Sequence, residues 1–268
     1  MNFHPIQRPI PLMNMGNTCY MNAVLQLLLQ CEKAFQSLTF RLSSTRMDSK
    51  IFHEWDQFLL DYCHFSNSNA SLRLDRIRRM IHLHNHNSEF LINMPGDAHE
   101  FLMAFLNLLQ DELESVTQTT NSWLSDYFLM DVQRYPSSDI QKELMMVISV
   151  DQSLSHSIQS WFEHGNNRIR RFPAYLLLLV SRYHGHSLMK NETAMDIPLQ
   201  FQLENHDYHW KASIIHHGSS IHGGHYITLL RTSRGTLYQC DDDRIQEITL
   251  SVLRSLLPQS YIIMYKKN

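Results

Sequence analysis

The order of hydrophobic periods constrains this chain more than any other feature. Between residues 24 and 113 apolar side chains recur at helical spacing, and from about residue 144 onward they come as short runs. Val24, Leu25, Leu28 and Leu29 follow a break at Asn17-Thr18. Phe52, Trp55, Leu59 and Tyr62 form a second stripe, and Leu74, Ile77 and Ile81 a third. The strongest begins at Asp97, where Ala98, Phe101, Leu102, Phe105, Leu109 and Leu113 share one face. An apolar residue every third or fourth position is what a 3.6-residue turn needs to bury one side.

Later, residues 144–150, 175–180, 212–215, 226–230, 237–240 and 261–265 read as strands, divided by Gly185, Asn191, Gly218, Gly223-Gly224 and Gly235. Residues 153–162 read as a lone helix among them. Helices first and strands later predict an α+β fold in one domain, with a helical lobe at about 12–120 and a β-rich, antiparallel lobe at about 121–268. A chain of 268 residues is long enough for such a core.

Composition narrows the function classes. Hydrophobic content of 43% with 18% charged residues is that of a soluble globular chain, and a net charge of −3 argues against nucleic acid as a partner. Residues 1–11 lack the apolar stretch of a secretory signal, and the longest apolar run, 175–180, is too short to cross a bilayer. Cys19, Cys31, Cys63 and Cys240 show no CxxC spacing, which suits a reducing compartment such as cytoplasm or nucleus and leaves a thiol free for chemistry. Delivery into a foreign host cell is left open. Seventeen histidines are unusual. They bunch at His82/His84/His86 and His216/His217/His222/His225, but the first bunch converges only if it lies on one face of a strand. Surface histidine is the favoured reading, and no metal and no cofactor are expected.

Three segments carry chemistry. In Asn14-Met15-Gly16-Asn17-Thr18-Cys19-Tyr20-Met21-Asn22 the thiol stands where a tight turn gives way to a helix. Free N–H groups and the helix dipole there lower a thiol pKa from ~8.5 toward ~7. The same groups, with Asn14, offer donors to an oxyanion. Gly223-Gly224-His225-Tyr226 opens a strand, and after a turn a second strand ends in Asp241-Asp242-Asp243. An antiparallel hairpin makes His225 and Asp241 neighbours, as an imidazole and its orienting carboxylate require. Pro95-Gly96-Asp97-Ala98-His99-Glu100-Phe101-Leu102 opens the strongest helix with an Asp-x-x-Glu pattern that suits capping.

These segments resemble the Cys box, with Leu25-Gln26 continuing it, the His box and the Gln-Gln-Asp-Ala-x-Glu-Phe-Leu box of the ubiquitin-specific protease family. Residues 210–218, with His217-Gly218, resemble the strand and His-x-Gly turn before the His box. Residues 172–183 resemble a strand ending in Arg-Phe, with Tyr183 in the last place. Ile197-Pro198 and 260–265 resemble its later segments. The resemblance implies a papain-like fold with a helical thumb, a β palm and fingers. It implies a deubiquitinase reduced to little more than its catalytic core, with Cys19, His225 and Asp241 as triad, Asn14 at the oxyanion and Asp242 as auxiliary. Ubiquitin's C-terminal tail would meet Asp97 and Glu100, and its two glycines would pass Gly224 and Tyr226. Ubiquitin, ubiquitinated proteins and a targeting partner are the implied partners.

Three departures stand out. Pro95 and Gly96 replace two glutamines, Cys240 replaces an aromatic or aliphatic residue, and residues 129–169 contain no cysteine where relatives bind zinc. The fingers are therefore expected to be shortened or rebuilt. A protease for a ubiquitin-like modifier and a catalytically silent ubiquitin-binding scaffold are the alternatives.

Overall fold

The computed structural model describes residues 8–43, 50–63, 67–85, 90, 94–117, 122–184, 187–220 and 223–268. His86, His222 and Gly185 lie outside them, as do the side chains of Cys63 and His84. The helices are α1 (Cys19–Leu28), α2 (Glu32–Ser43), α3 (Lys50–Cys63), α4 (Asn67–Asn85), α5 (Ala98–Thr117), α6 (Trp123–Tyr127), α7 (Leu154–His164) and α8 (Leu250–Leu256). The strands are β1 (Met130–Arg134), β2 (Ile140–Glu143), β3 (Met146–Ser149), β4 (Asn167–Arg171), β5 (Tyr175–Ser181), β6 (Tyr183–His184), β7 (Ser187–Lys190), β8 (Gln200–Leu203), β9 (His206–Ser220), β10 (Gly223–Arg231), β11 (Leu237–Asp241), β12 (Arg244–Glu247) and β13 (Ser260–Lys267). Packing divides the chain into two units, residues 1–123 with 226–247, and residues 124–225 with 248–268.

In the first unit α1 and α5 are the buried helices. Every residue of α1 is buried, its polar Asn22 and Gln26 included. The predicted stripe of α5 is inside, with Ala98, Phe101, Leu102, Phe105, Leu109 and Leu113 all buried. Trp55 is the centre of the aromatic core, its ring 4.8 Å from Phe35, 5.2 Å from Phe58 and 5.2 Å from Phe105. Rings at these spacings add attraction beyond the area they bury. The indole nitrogen of Trp123 donates to the Ala34 carbonyl at 2.8 Å, satisfying a polar atom that burial would otherwise orphan. Glu54 and Asp61 of α3 accept from Arg73 of α4 at 3.1 and 3.4 Å.

The same unit holds the hairpin β10-β11-β12, antiparallel throughout, with Thr228 opposite Cys240 and Asp241 opposite Arg244. Thr228 Oγ1 donates to the Ala23 carbonyl at 2.8 Å and ties β10 to α1. This tie explains why a late segment packs with the first helices.

The second unit is built on β13, which pairs antiparallel with β9 on one side and β5 on the other. The core strand β5 is buried over Tyr175–Val180, as its unbroken apolar run predicts. Arg182 follows it and is fully buried, yet charged. Its guanidinium donates to the carbonyls of Ser260, Asn191, Thr193 and Pro258 at 2.8, 3.0, 3.0 and 2.7 Å, so its role is to staple β5 to the start of β13. Burial lowers its pKa to about 10, which still leaves it charged at neutral pH.

Two differences from the sequence reading have physical causes. The sheet of the second unit is not wholly antiparallel, because β3 pairs with β5 in parallel. The chain between them contains α7, and a crossover of that length permits parallel pairing. His82 lies on helix α4 and not on a strand, so the strand-face convergence weighed for His82, His84 and His86 does not arise. The cysteine-free region folds as a short antiparallel sheet in the order β2-β1-β4, with Val132 opposite Ile169.

Candidate active site

The turn before Cys19 is shaped by side chains. Gly16 and Asn17 are left-handed, with φ of 96° and 53°. Asn14 Oδ1 accepts from the backbone N–H of Gly16 and of Thr18, each at 3.1 Å, and Thr18 Oγ1 accepts from Met15 N–H at 2.9 Å. Thr18 is thereby used in the turn, and as N-cap of α1 it makes no side-chain bond to the helix. An uncapped helix start leaves its first N–H groups for another acceptor. The Cys19 sulfur is that acceptor, receiving the backbone N–H of Cys19 and Tyr20 together with that of Tyr226 from β10.

The donors stand as predicted, but the direction of the thiol pKa does not. Cys19 is only 8% exposed, and burial raises its pKa above the ordinary 9.0. The three N–H groups lower it and the charge of Asp242 raises it further, so the net direction is upward. Loss of hydration around a thiolate outweighs the helix start, which the sequence alone does not disclose.

Asp242 is the organiser of this turn. It is left-handed, with φ of 50°, in the connection between β11 and β12. One carboxylate oxygen accepts from Asn14 Nδ2 and the other from Asn22 Nδ2, both at 2.8 Å, and its carbonyl accepts from Leu12 N–H at 3.0 Å. Asn22 also donates to the Leu12 carbonyl at 3.2 Å. Asn14 is thus held at both ends, its oxygen by the turn and its nitrogen by Asp242. Asp241 closes β11 and is half-buried.

Asp97 works through both oxygens. Oδ1 caps α5, accepting from the N–H of His99 at 2.7 Å and of Glu100 at 3.2 Å. Oδ2 accepts from the Tyr226 hydroxyl at 3.1 Å. Glu100 is exposed on the first turn. The departure at Gly96 also has a cause. A Cβ there would lie 2.7 Å from Tyr20 Cζ, so the Tyr20 ring takes the space that a glutamine stem would need. Gly224 is exposed and His225 half-buried, next to Tyr226 on the continuous strand β10.

Sequence reasoning assigned no role to Asn22 or Gln26. Gln26 donates to the Ile10 carbonyl at 2.7 Å and accepts from the Tyr62 hydroxyl at 2.9 Å. Two polar residues four apart on an otherwise apolar helix were the available signal, because a buried amide needs partners.

The chain is similar to known proteins over nearly its whole length. The family model of ubiquitin carboxyl-terminal hydrolase matches residues 10–265. A probable ubiquitin carboxyl-terminal hydrolase 16 of Schizosaccharomyces pombe is 24% identical across 96% of this chain and 66% of its own length. Ubiquitin carboxyl-terminal hydrolase 25 of Arabidopsis thaliana is 24% identical across 97% of this chain and 47% of its own. The chain therefore spans about half to two thirds of these relatives. Among solved structures, the SAGA DUB module of Ubp8, Sgf11, Sus1 and Sgf73 bound to monoubiquitin matches with a TM-score of 0.80 at 17% identity, covering 97% of this chain and 69% of the other. The fold is the α+β, papain-like one that the motifs imply. With the match running from the turn at Asn14 through the last strand, the chain belongs to the ubiquitin carboxyl-terminal hydrolase family.

Proposed function

We propose that this chain is a deubiquitinase, a thiol hydrolase of peptide and isopeptide bonds at the C-terminal glycine of ubiquitin, with Cys19, His225 and Asp241 as its triad. The observation that carries it is the surroundings of the Cys19 sulfur, which takes N–H groups from an uncapped helix start and from Tyr226, the residue after His225. The alternation of β10 and β11 adds support. Thr228 pairs with Cys240, so the two-residue period gives residue 241 the same face as residues 225 and 227.

Because burial keeps the thiol protonated, the reaction begins with proton transfer from Cys19 to His225 and not with a standing thiolate. The sulfur adds to the glycine carbonyl, and the backbone N–H groups with Asn14 Nδ2 hold the oxyanion. His225 then gives its proton to the leaving amine as the C–N bond breaks. Water, deprotonated by His225, hydrolyses the thioester and restores the thiol. Asp241 orients the imidazole, and Asp242 fixes the oxyanion donor. Asp97 and Glu100 would receive the basic tail of ubiquitin, whose glycines would pass Gly224 and Tyr226.

Ubiquitin is proposed as substrate partly because a protein of this fold is solved bound to monoubiquitin, and a targeting partner because that protein is solved with further subunits. A reducing compartment is proposed because, among the described residues, Cys19, Cys31 and Cys240 form no disulfide. Among the described residues no helix is long and apolar enough to cross a membrane. The test is a ubiquitin probe with an electrophilic C-terminus, run beside probes of ubiquitin-like modifiers. Labelling of wild type and none of Cys19→Ala is expected. Equal labelling of both would remove the assignment, and preference for another modifier would change the substrate.

A further inference from the structure

A second histidine packs against the Gly-Gly segment that the motif supplies. His216, on β9, is 2% exposed, and residues of three strands meet on it. The Tyr183 hydroxyl of β6 bonds to its Nδ1, and the Lys190 ammonium of β7 donates to its carbonyl. The other edge of the ring faces glycine. A Cβ added at Gly224 would lie 2.6 Å from His216 Cε1 and 2.5 Å from the His217 carbonyl, and one at Gly218 would lie 2.5 Å from the Gly223 carbonyl and 3.1 Å from His216 Cε1. The imidazole therefore fills space that two missing side chains leave open. Tyr183 itself is braced edge-on by Tyr261 at 6.1 Å.

We propose that His216 is a positioning residue for His225: clamped by Tyr183 and Lys190, its ring sets the course of Gly223-Gly224 and so the backbone from which His225 projects. A phenol that donates to Nδ1 would leave the ring's proton on Nε2, the edge turned to the Gly224 backbone. Gly224 has no side chain of its own to fix it, and any drift there passes directly to the next residue. Displacement of a reacting group by about 1 Å costs on the order of 10²-fold in rate. The hydroxyl that locks the ring is a departure of this chain, since Tyr183 stands where the family resemblance expects phenylalanine.

The inference rests on the proposed role of His225, and its test separates the two. Tyr183→Phe keeps the ring packed edge-on against Tyr261 and removes only the hydroxyl, whereas His216→Ala removes the clamp. On a ubiquitin C-terminal fluorogenic amide, Tyr183→Phe should lower kcat about 5-fold and His216→Ala about 50-fold, with KM within about twofold, because misplacement acts on the chemical step. In ubiquitin-free protein, the side-chain nitrogen NMR signals of His225, assigned by their loss in His225→Gln, should shift in Tyr183→Phe. Unmoved His225 signals overturn the proposal, as does an unchanged kcat in an enzyme that turns over. If wild type fails to turn over, the deubiquitinase reading falls and the NMR signals alone decide the positioning. If His216→Ala does not fold, Tyr183→Phe carries the test.

Discussion

Helices α1 and α5 both begin at a polar turn in the same unit, and their first turns are used in opposite ways. At α5 the Asp97 carboxylate takes two of the free N–H groups and the start is closed. At α1 Thr18 spends its hydroxyl on Met15, the cap is missing, and the donors go to a sulfur. A capped start contributes stability, commonly about 1 kcal/mol, and an uncapped one forgoes it. What α1 forgoes is recovered from a distance by Asp242, which holds Asn14, Asn22 and Leu12 from the β11–β12 turn. A helix start can be left chemically open only if its turn is held from elsewhere.

Removing that hold should have the largest effect. Asp242→Ala leaves two amide groups without their acceptor, and one of them is the proposed oxyanion donor. We expect kcat to fall by ~10²–10³, the usual consequence of losing such a donor. Stability should drop by about 1–3 kcal/mol, with the partly exposed setting keeping it toward the low end. Steady-state kinetics with thermal melts check both. If kcat is unchanged while stability falls, Asp242 organises the turn without serving the oxyanion.

Charge at the open helix start should have the next largest effect. Folding raises the Cys19 pKa, so the folded chain binds the thiol proton more tightly than the unfolded one. Its contribution to stability is whole below 9.0 and is lost as pH rises through the higher folded value. In His225→Gln, which lacks the proposed base, alkylation of Cys19 by iodoacetamide should accelerate about tenfold per pH unit and reach its midpoint above 9.0. Wild type should react faster near neutrality, because the imidazole can take the thiol proton as the sulfur is alkylated. Identical profiles in the two proteins would mean that His225 does not reach the thiol. Asp242→Asn should move the midpoint of the His225→Gln profile down, since the Asp242 charge is one of the causes that raise it.

How much of this was legible follows from what each feature depends on. The stripe of α5 and the core run of β5 were plain, because burial of one face, or of both, writes a period into the sequence. Helices α2 and α8 and the short strands β1, β2, β4, β8 and β12 were not read. Strand β2 has no buried residue but a half-covered Glu143, and a surface strand carries no apolar pattern to find. In the candidate site, the motif singled out Cys19, Asn14 and Asp97 as candidates. The upward thiol pKa was hidden because hydration depends on the whole packed surround. Asp242 stood as an auxiliary to Asp241, since adjacent identical residues carry no sign of which one turns left-handed toward Asn14.

The smallest effect belongs to the closed helix start, and it needs two variants to read. Asp97→Ala removes the cap and the acceptor of the Tyr226 hydroxyl together. Asp97→Ser returns a cap through a shorter side chain that has no second oxygen for Tyr226. If capping is the whole role of Asp97, the alanine variant loses about 1 kcal/mol and the serine variant recovers it, with KM for ubiquitin substrates untouched in both. If Asp97 also holds Tyr226 and receives the ubiquitin tail, melts recover with serine while KM stays raised several-fold, the loss of a charge-assisted contact of roughly 1 kcal/mol. Because Oδ1 caps and Oδ2 meets Tyr226, the second pattern is expected. Recovery of KM along with stability would make α5 a helix whose closed start serves the fold alone.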